Sequence, residues 1–344
     1  MKSRDHRPAP FWLVFALALA ALTAIVAVSF LVGRYAIDPW EAVRIMASRF
    51  IAMEHTWREL DAKVVWEVRW PRTLMAVLVG AALSCSGAVY QGVFRNPLVS
   101  PDILGVSAAA SFGAALAILL SGAFSPLVPS LAFGMGILGV LLAYALARVK
   151  GMTPTIMLVL SGVVVSSIFN AGVSIMKYLA DPEDDLPAIT FWLMGSLSGM
   201  RWENLAFAAP IIVVGLAVLM VITWQLNLLT MGDAEARSLG ANAQRTRLIA
   251  IICATAMTAT AVSQSGAIGW VGLVIPHMAR ILVGPDHRKL VPIAAVLGAA
   301  FLLTIDSLTR TVSESSLPLS IPTALVGAPF FAILLRRSKG VWTR

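Results

Sequence analysis

The sequence predicts an all-α polytopic membrane protein with about ten transmembrane helices. Three observations predict it. The 344 residues are 58% hydrophobic and only 13% charged, with a mean hydropathy of +0.84. Soluble domains run nearer half apolar and a quarter charged, so this much apolar surface needs the bilayer as its solvent. Apolar runs of about 20 residues recur along the chain, each long enough to cross the hydrocarbon as a helix. Lys and Arg gather at the ends of those runs, where the positive-inside rule places them.

In chain order the spans are predicted at about 11–33, 70–93, 103–121, 126–147, 154–178, 204–227, 248–264, 267–284, 290–309 and 321–336. The basic start, Lys2, Arg4 and Arg7, resembles that of a signal peptide, but the apolar run from Phe11 to Gly33 exceeds the about 7–15 residues of a signal core. A retained first span is expected. The polar hinge Ser263-Gln264-Ser265-Gly266 shortens the seventh and eighth spans. Short, Gly-interrupted segments in a bundle often line a pathway.

An even number of spans returns both termini to one side. With the cytoplasm as that side, 16 of the 26 Lys and Arg lie inside or at the inner edge. Seven of the others fall between Arg34 and Arg72, all but Arg72 in an outer loop of about 34–69 that also carries Asp38, Glu41, Glu54, Glu59, Asp61 and Glu67. Acids count for little in the rule, so this loop opposes the orientation without reversing it. Within it, Asp38-Pro39 reads as an N-cap followed by Pro at the first helical position, opening a short helix through Trp40 to Phe50. A second outer segment holds the acidic turn Asp181–Asp185 and an apolar helix of about 187–199, opened by Pro187. Its Phe191 and Trp192 either shape an outer mouth or anchor at the interface.

Leu228 to Arg247 is one of the few polar runs, flanked on both sides by long apolar segments. Gly232 and Gly240 bracket a short helical piece with Asp233 and Glu235 in its first turn and Arg237 later, an order that suits the helix dipole. Its small Ala and Gly residues leave a flat surface for another protein to pack on. An ordinary solvated loop between spans is the competing reading.

Other motifs exclude more than they assign. Gly134-Met135-Gly136-Ile137-Leu138-Gly139 fits the dinucleotide pattern but sits inside an apolar span with no strand before it, so close helix packing explains it better. There is no GxxxxGK[ST] phosphate loop, no HExxH and no clustered Cys and His; Cys85 and Cys253 read as core filler. His6, His55, His277 and His287 have no metal partner nearby in sequence, so no metal site is expected. The formal charge of +8 comes with no basic run and no nucleic-acid motif. Asp306 lies deep in the ninth span with Arg310 one turn later. An intramembrane acid is functional by default, yet the two also form a self-neutralising i,i+4 pair. The fifth span carries Ser161, Ser166, Ser167, Asn170, Ser174 and Lys177, either a wet pathway or serines bonded to their own helix. Pro154 at its start allows a gate-like break. Ser84-Cys85-Ser86-Gly87-Ala88 faintly echoes Ser263-Gln264-Ser265-Gly266-Ala267, as in duplicated transporters.

Several stretches, in their order, carry a resemblance. They are Arg69-Trp70-Pro71-Arg72-Thr73-Leu74, Gly80-Ala81-Ala82-Leu83 with Ser86-Gly87, Asn96-Pro97-Leu98, and Pro101-Asp102-Ile103-Leu104-Gly105-Val106. Later come Ser265-Gly266-Ala267-Ile268-Gly269, Gly272-Leu273-Val274-Ile275-Pro276-His277 and Gly284-Pro285-Asp286-His287-Arg288. The chain resembles the permease subunits of binding-protein-dependent ABC importers for iron–siderophore, haem and cobalamin complexes, the FecCD family, from about Val68 to Arg337.

The resemblance implies a single permease domain over 1–344 with the ABC type II importer fold, in a prokaryotic cytoplasmic membrane. It implies a second permease copy or close homologue, two cytoplasmic ATPase subunits carrying ATP-Mg, and an extracytoplasmic substrate-binding protein. The chain itself would bind no cofactor and perform no catalysis. Glu235, Ala236, Leu239 and Gly240 match the coupling motif, with Asp233 and Arg237 beside them in a coupling loop of about 228–247. By position, Arg69, Arg72 and Arg310 would receive carboxylates of the binding protein. The inner gate would lie near Thr153 to Thr155, and Ser161, Ser166 and Asn170 would line the pathway. The expected cargo is a ferric siderophore, with haem and cobalamin as alternatives. Two other classes stand beside this: a proton-coupled carrier centred on Asp306, and an intramembrane enzyme, which the missing paired acids, HExxH and GxSxG argue against.

Overall fold

A computed structural model describes residues 10–33, 35–49, 51–148, 153–312 and 317–337. Lys2, Arg4, His6, Arg7, Arg34, Phe50, Lys150, Lys339 and Arg344 lie outside the described residues. Among the described residues the chain is helical, with no strand. The helices are α1 (Phe11–Leu31), α2 (Pro39–Ala47), α3 (Glu59–Lys63), α4 (Trp70–Val93), α5 (Val106–Ser121), α6 (Leu127–Ala147), α7 (Thr155–Leu179) and α8 (Asp185–Leu193). They continue with α9 (Trp202–Val221), α10 (Thr223–Met231), α11 (Asp233–Ser238), α12 (Ala243–Ser265), α13 (Val271–Val283), α14 (His287–Val312) and α15 (Ser320–Arg337).

Among the described residues, 7 helical segments are long and apolar enough to cross a membrane: Phe11–Leu31, Glu59–Val93, Leu127–Ala147, Thr155–Leu179, Trp202–Val221, Ala243–Ser265 and His287–Val312. Val106–Ser121, Val271–Val283 and Ser320–Ile333 are shorter apolar helices at the expected third, eighth and tenth spans. The third is short because Pro101–Leu104 tightens into a 3-10 turn that ends at Gly105.

Boundaries differ from expectation in four places. α8 ends at Leu193 rather than near residue 199, and the sixth span breaks at Ile222 into α9 and α10. The outer loop does not run to residue 69: α3, a π turn over Val64–Arg69 and α4 form one continuous helix. Pro71 has no N–H to donate and its ring crowds the preceding turn, and the wider π turn before it absorbs that conflict. The seventh span is not short either, since α12 begins at Ala243, where the Asn242 side chain accepts the Arg245 N–H at 3.0 Å. Elsewhere local signals hold. Asp38 caps α2, accepting from the Trp40 N–H at 2.8 Å. α8 starts two residues before Pro187, which sits in its first turn.

The core is built around α4, whose most apolar stretch is 83% buried, with α12 at 72% and α14 at 61%; α1 is only 11% buried and lies at the edge. In lipid, helix association rests on close packing and internal hydrogen bonds rather than on expulsion of water. α4 meets its neighbours backbone to backbone. A Cβ on Gly80 would collide with the Gly298 carbonyl of α14, and one on Gly87 with the Gly272 carbonyl of α13. The Ser84 hydroxyl donates to the Ala294 carbonyl of α14 at 2.7 Å.

Gly80→Val should therefore lower the unfolding midpoint of the purified protein in detergent, by an overpacking cost of about 1–3 kcal/mol or more. Gly134→Val is the control, because a Cβ there meets nothing within 4 Å. Equal midpoints for the two variants would contradict the close contact of α4 with α14.

Candidate functional site

Residues singled out in the sequence converge at the two ends of the bundle. At one end, Gly232 (φ +131°) and Gly240 (φ +80°) flank α11, both in the left-handed region that other residues avoid. Asp233 pairs with Arg247 of α12 at 2.7 Å, and the Arg237 guanidinium donates to the Asp233 carbonyl at 3.0 Å. Ala236 is fully buried and seats the helix on the bundle. The Ala241 N–H then closes back on the Ala236 carbonyl at 2.9 Å. Glu235, Arg237 and Ser238 face outward, and Leu239 at the tip is 60% exposed. The predicted coupling residues thus divide: Ala236 anchors, Asp233 and Arg237 brace, and Glu235 and Leu239 are presented.

Beside α11 runs a groove of about 690 Å³. Thr153, Pro154 and Thr155 at the start of α7 form one wall, Asp233, Arg237, Gly240, Asn242, Gln244 and Arg247 the other, and Arg95 from the end of α4 joins them. The expected gate and the expected coupling loop are therefore one surface, a juxtaposition across some 80 residues of chain that no local motif announced. Arg95 was not singled out beforehand; its φ of +50° marks the tight exit from α4.

The polar stripe of α7 does not act as a unit. Ser167 and Ser174 donate to carbonyls one turn back, Val163 at 2.9 Å and Asn170 at 3.0 Å. Ser161 is buried, Ser166 half-buried beside Gly105, and Asn170 exposed. The exposed part of α7 also carries Ile156, Leu160, Ile168 and Ile175.

At the opposite end, Arg72 and Arg310 hold Asp306, and Arg69 and Arg310 meet at the end of α1. Arg72 grips the Asp306 carboxylate twice over, Nε to Oδ1 at 3.0 Å and Nη2 to Oδ1 at 2.8 Å, with Nε also 3.2 Å from Oδ2. The Arg310 Nε reaches Asp306 Oδ2 at 3.2 Å, so the expected i,i+4 pair exists but is half of a larger cluster. Arg310 also donates to the Ser29 hydroxyl at 2.7 Å, the Ser307 hydroxyl at 3.0 Å and the Val32 carbonyl at 3.2 Å. Arg69 donates to the carbonyls of Phe30 and Tyr35, the latter at 2.6 Å. Arg69 and Arg310 are buried and spend their donors on the end of α1, while Arg72 keeps 13% of its side chain open. Ser29, Phe30 and Tyr35 gave no signal in the sequence. Among the described residues no group of His, Cys, Asp and Glu is placed to hold a metal ion.

With this geometry in place, the comparison with known proteins is direct. Residues 20–337 match the FecCD transport family. The chain belongs to the FecCD transport family. The molybdate import system permease protein MolB of Haemophilus influenzae is 38% identical over 322 residues, 93% of this chain and 94% of MolB. The cobalamin import system permease protein BtuC of Halobacterium salinarum is 40% identical over 298 residues, 87% of this chain and 79% of that one. A solved structure of a metal-chelate type ABC transporter in an inward-facing conformation matches with a TM-score of 0.84 at 35% identity, covering 94% of this chain and 99% of that one. This FecCD chain is a multi-pass ABC permease, not an enzyme; permeases of its kind act in a membrane complex with ATPase and substrate-binding subunits, and ATP is hydrolysed in the separate ATPase. Membership in an ABC family displaces the proton-coupled carrier and enzyme readings, and Asp306 is held by two guanidinium groups.

Asp306→Asn should cost about 3–5 kcal/mol, because it leaves two arginines without their counter-charge in a buried site. Chemical unfolding in detergent measures it. An unchanged midpoint would mean that the cluster does not hold α1, α4 and α14 together.

Proposed function

We propose that this chain is the membrane channel of an ATP-driven, binding-protein-dependent importer of a metal-bearing solute, with a ferric siderophore as the favoured cargo. The observation that carries the reading is the shared groove of α11 and the α7 start. A force applied to the outward-facing Leu239 and Glu235 would pass through α11 to Asp233, Arg237 and Gly240, which line the groove with Thr153 and Thr155. Closure of two ATPase subunits on two copies of α11 would tilt the bundles and work that gate, a rigid-body switch at an interface. ATP-Mg stays on the ATPases, and the permease binds no cofactor. The chain spans the prokaryotic inner membrane about ten times, the three shorter apolar helices included, with both termini cytoplasmic. The α11 end is then cytoplasmic and the arginine cluster extracytoplasmic.

Two copies of the permease, or one copy and a close homologue, enclose the pathway. Asn170, exposed on α7, and the half-buried Ser166 are assigned to it; Ser161, expected with them, is buried within this copy. The cargo is passed on rather than gripped. Arg69, Arg72 and Arg310 outnumber Asp306 and give the extracytoplasmic end a positive field for carboxylates of the binding protein. Arg72 is the arginine proposed to meet them; 13% of its side chain is open, against 8% for Arg310.

The similarity to a metal-chelate transporter supports a chelate as cargo. The similarity to a cobalamin permease favours a second reading within the same class, in which a corrinoid or haem is carried. Titrating the cognate binding protein with ferric siderophores, haem and cobalamin separates these; saturable binding of cobalamin alone would overturn the siderophore assignment.

Two outcomes test the roles. In vesicles holding the whole complex, Leu239→Asp combined with Glu235→Ala should abolish uptake while the permease still folds; undiminished uptake would remove the docking role of α11. Arg72→Glu should weaken binding-protein affinity, and more at low salt, because exposed charges are screened within about 10 Å at 0.1 M. An affinity unchanged at every ionic strength would remove Arg72 from the docking surface.

A further inference from the structure

Neither the groove nor the arginine cluster uses the motif Gly284-Pro285-Asp286-His287-Arg288, which the sequence nonetheless marks. The structure places it against α10, immediately before α11. The Asn227 side chain of α10 donates to Asp286 Oδ1 at 2.6 Å. Its carbonyl oxygen accepts the His287 backbone N–H at 2.8 Å and lies 2.9 Å from His287 Nδ1. Because the amide nitrogen of Asn227 is spent on Asp286, its oxygen is the acceptor, and His287 Nδ1 carries the proton. Asp286 Oδ1 also accepts the Arg288 N–H at 3.0 Å, so the same carboxylate caps α14. Arg288 lies over the Trp224 ring of α10, 4.3 Å from its centre. Burial pushes the Asp286 carboxyl up, but the Asn227 amide, the Arg288 N–H and the Arg288 and Lys289 charges prevail and hold it below its ordinary value.

α14 itself is the continuous helix His287–Val312. At 1.5 Å per residue it runs about 39 Å, with Pro292 in its second turn. Its first turn is clasped to α10, and its last turns carry Asp306 and Arg310. Asn227, with the Arg288–Trp224 contact beside it, thus joins the helix that leads into α11 to the helix that carries the arginine cluster.

We propose that Asn227 is a positioning residue for coupling: its clasp on Asp286 and His287 makes α10, α11 and the start of α14 move as one body. A push on α11 is then delivered along α14 to the arginine cluster, and by linkage the occupancy of that cluster is felt at α11. The inference rests on the importer reading and adds to it a specific route between the ATPase and the binding protein.

The test uses the full permease–ATPase complex in lipid nanodiscs with its binding protein added free of cargo. Affinity is measured with and without trapped ATP. In the native complex, ATP should change the affinity by roughly fivefold or more, a typical coupling energy. Asn227→Leu should keep the ATP-free affinity and the rate of ATP hydrolysis yet lose most of that change. Asp286→Ser gives a second arm, since Ser still caps α14 but is a poorer acceptor for Asn227; it should lose the response too. A variant combining both changes should respond no less than either alone, because one clasp is broken once. A native response kept in the well-folded Asp286→Ser or Asn227→Leu complex would overturn the clasp alone. A native complex whose binding-protein affinity ignores ATP would overturn the importer reading, and the clasp with it.

Discussion

The backbone contact between α4 and α14 sets the distance between everything else that matters in this protein. Gly80 and Gly298 let the two helices approach until no side chain fits between them, and Ser84 fixes the crossing with a hydrogen bond to the Ala294 carbonyl. α4 carries Arg72 at one end and leads to Arg95 at the other; α14 carries Asp306 and Arg310 at one end and begins beside Asp286 at the other. Holding these two rods flush therefore places the arginine cluster and the groove at fixed positions on opposite faces. A glycine-built contact is rigid and nearly free of side-chain entropy, which suits the tilting motion proposed for the bundle.

The second constraint is polar satisfaction without water. A buried charge in a lipid-embedded bundle needs a counter-charge or hydrogen-bond partners, so Asp306 is gripped by Arg72 and Arg310, and the remaining donors of Arg310 and those of Arg69 are spent at and just beyond the end of α1. These same groups are proposed to give the docking end its positive field. The two roles are compatible because Arg69 and Arg310 act through the field while Arg72 stays partly open. The opposite end follows the same logic: Arg247 neutralises Asp233 and thereby seats α11, leaving Glu235 and Leu239 to face outward.

Much of this was legible in the sequence, for physical reasons that differ by element. Long helices announce themselves because their length is set by the bilayer. Gly232 and Gly240 marked the ends of α11 because only glycine adopts those backbone angles cheaply, and Asp38-Pro39 marked the start of α2 because capping is local. The helix start at Glu59 was hidden, since Pro71 reads as a beginning rather than an interior position. The start of α12 was hidden because its first turns are polar, although Thr246 and Arg247 prove buried. The Arg72–Asp306 grip, spanning 234 positions, and the groove joining Thr153 to Arg247 are tertiary and had no local signature. The likeness to the FecCD family pointed to residues at both ends; which of them are buried, paired or exposed is visible only in three dimensions.

The central claim is that this permease has no drive of its own and moves only when an ATPase acts on α11. Uptake into sealed vesicles measures this most directly, with the permease, its binding protein and loaded cargo present and the ATPase subunit either included or left out. The account predicts accumulation against a gradient only with the ATPase and ATP together. Accumulation in vesicles lacking the ATPase would contradict it.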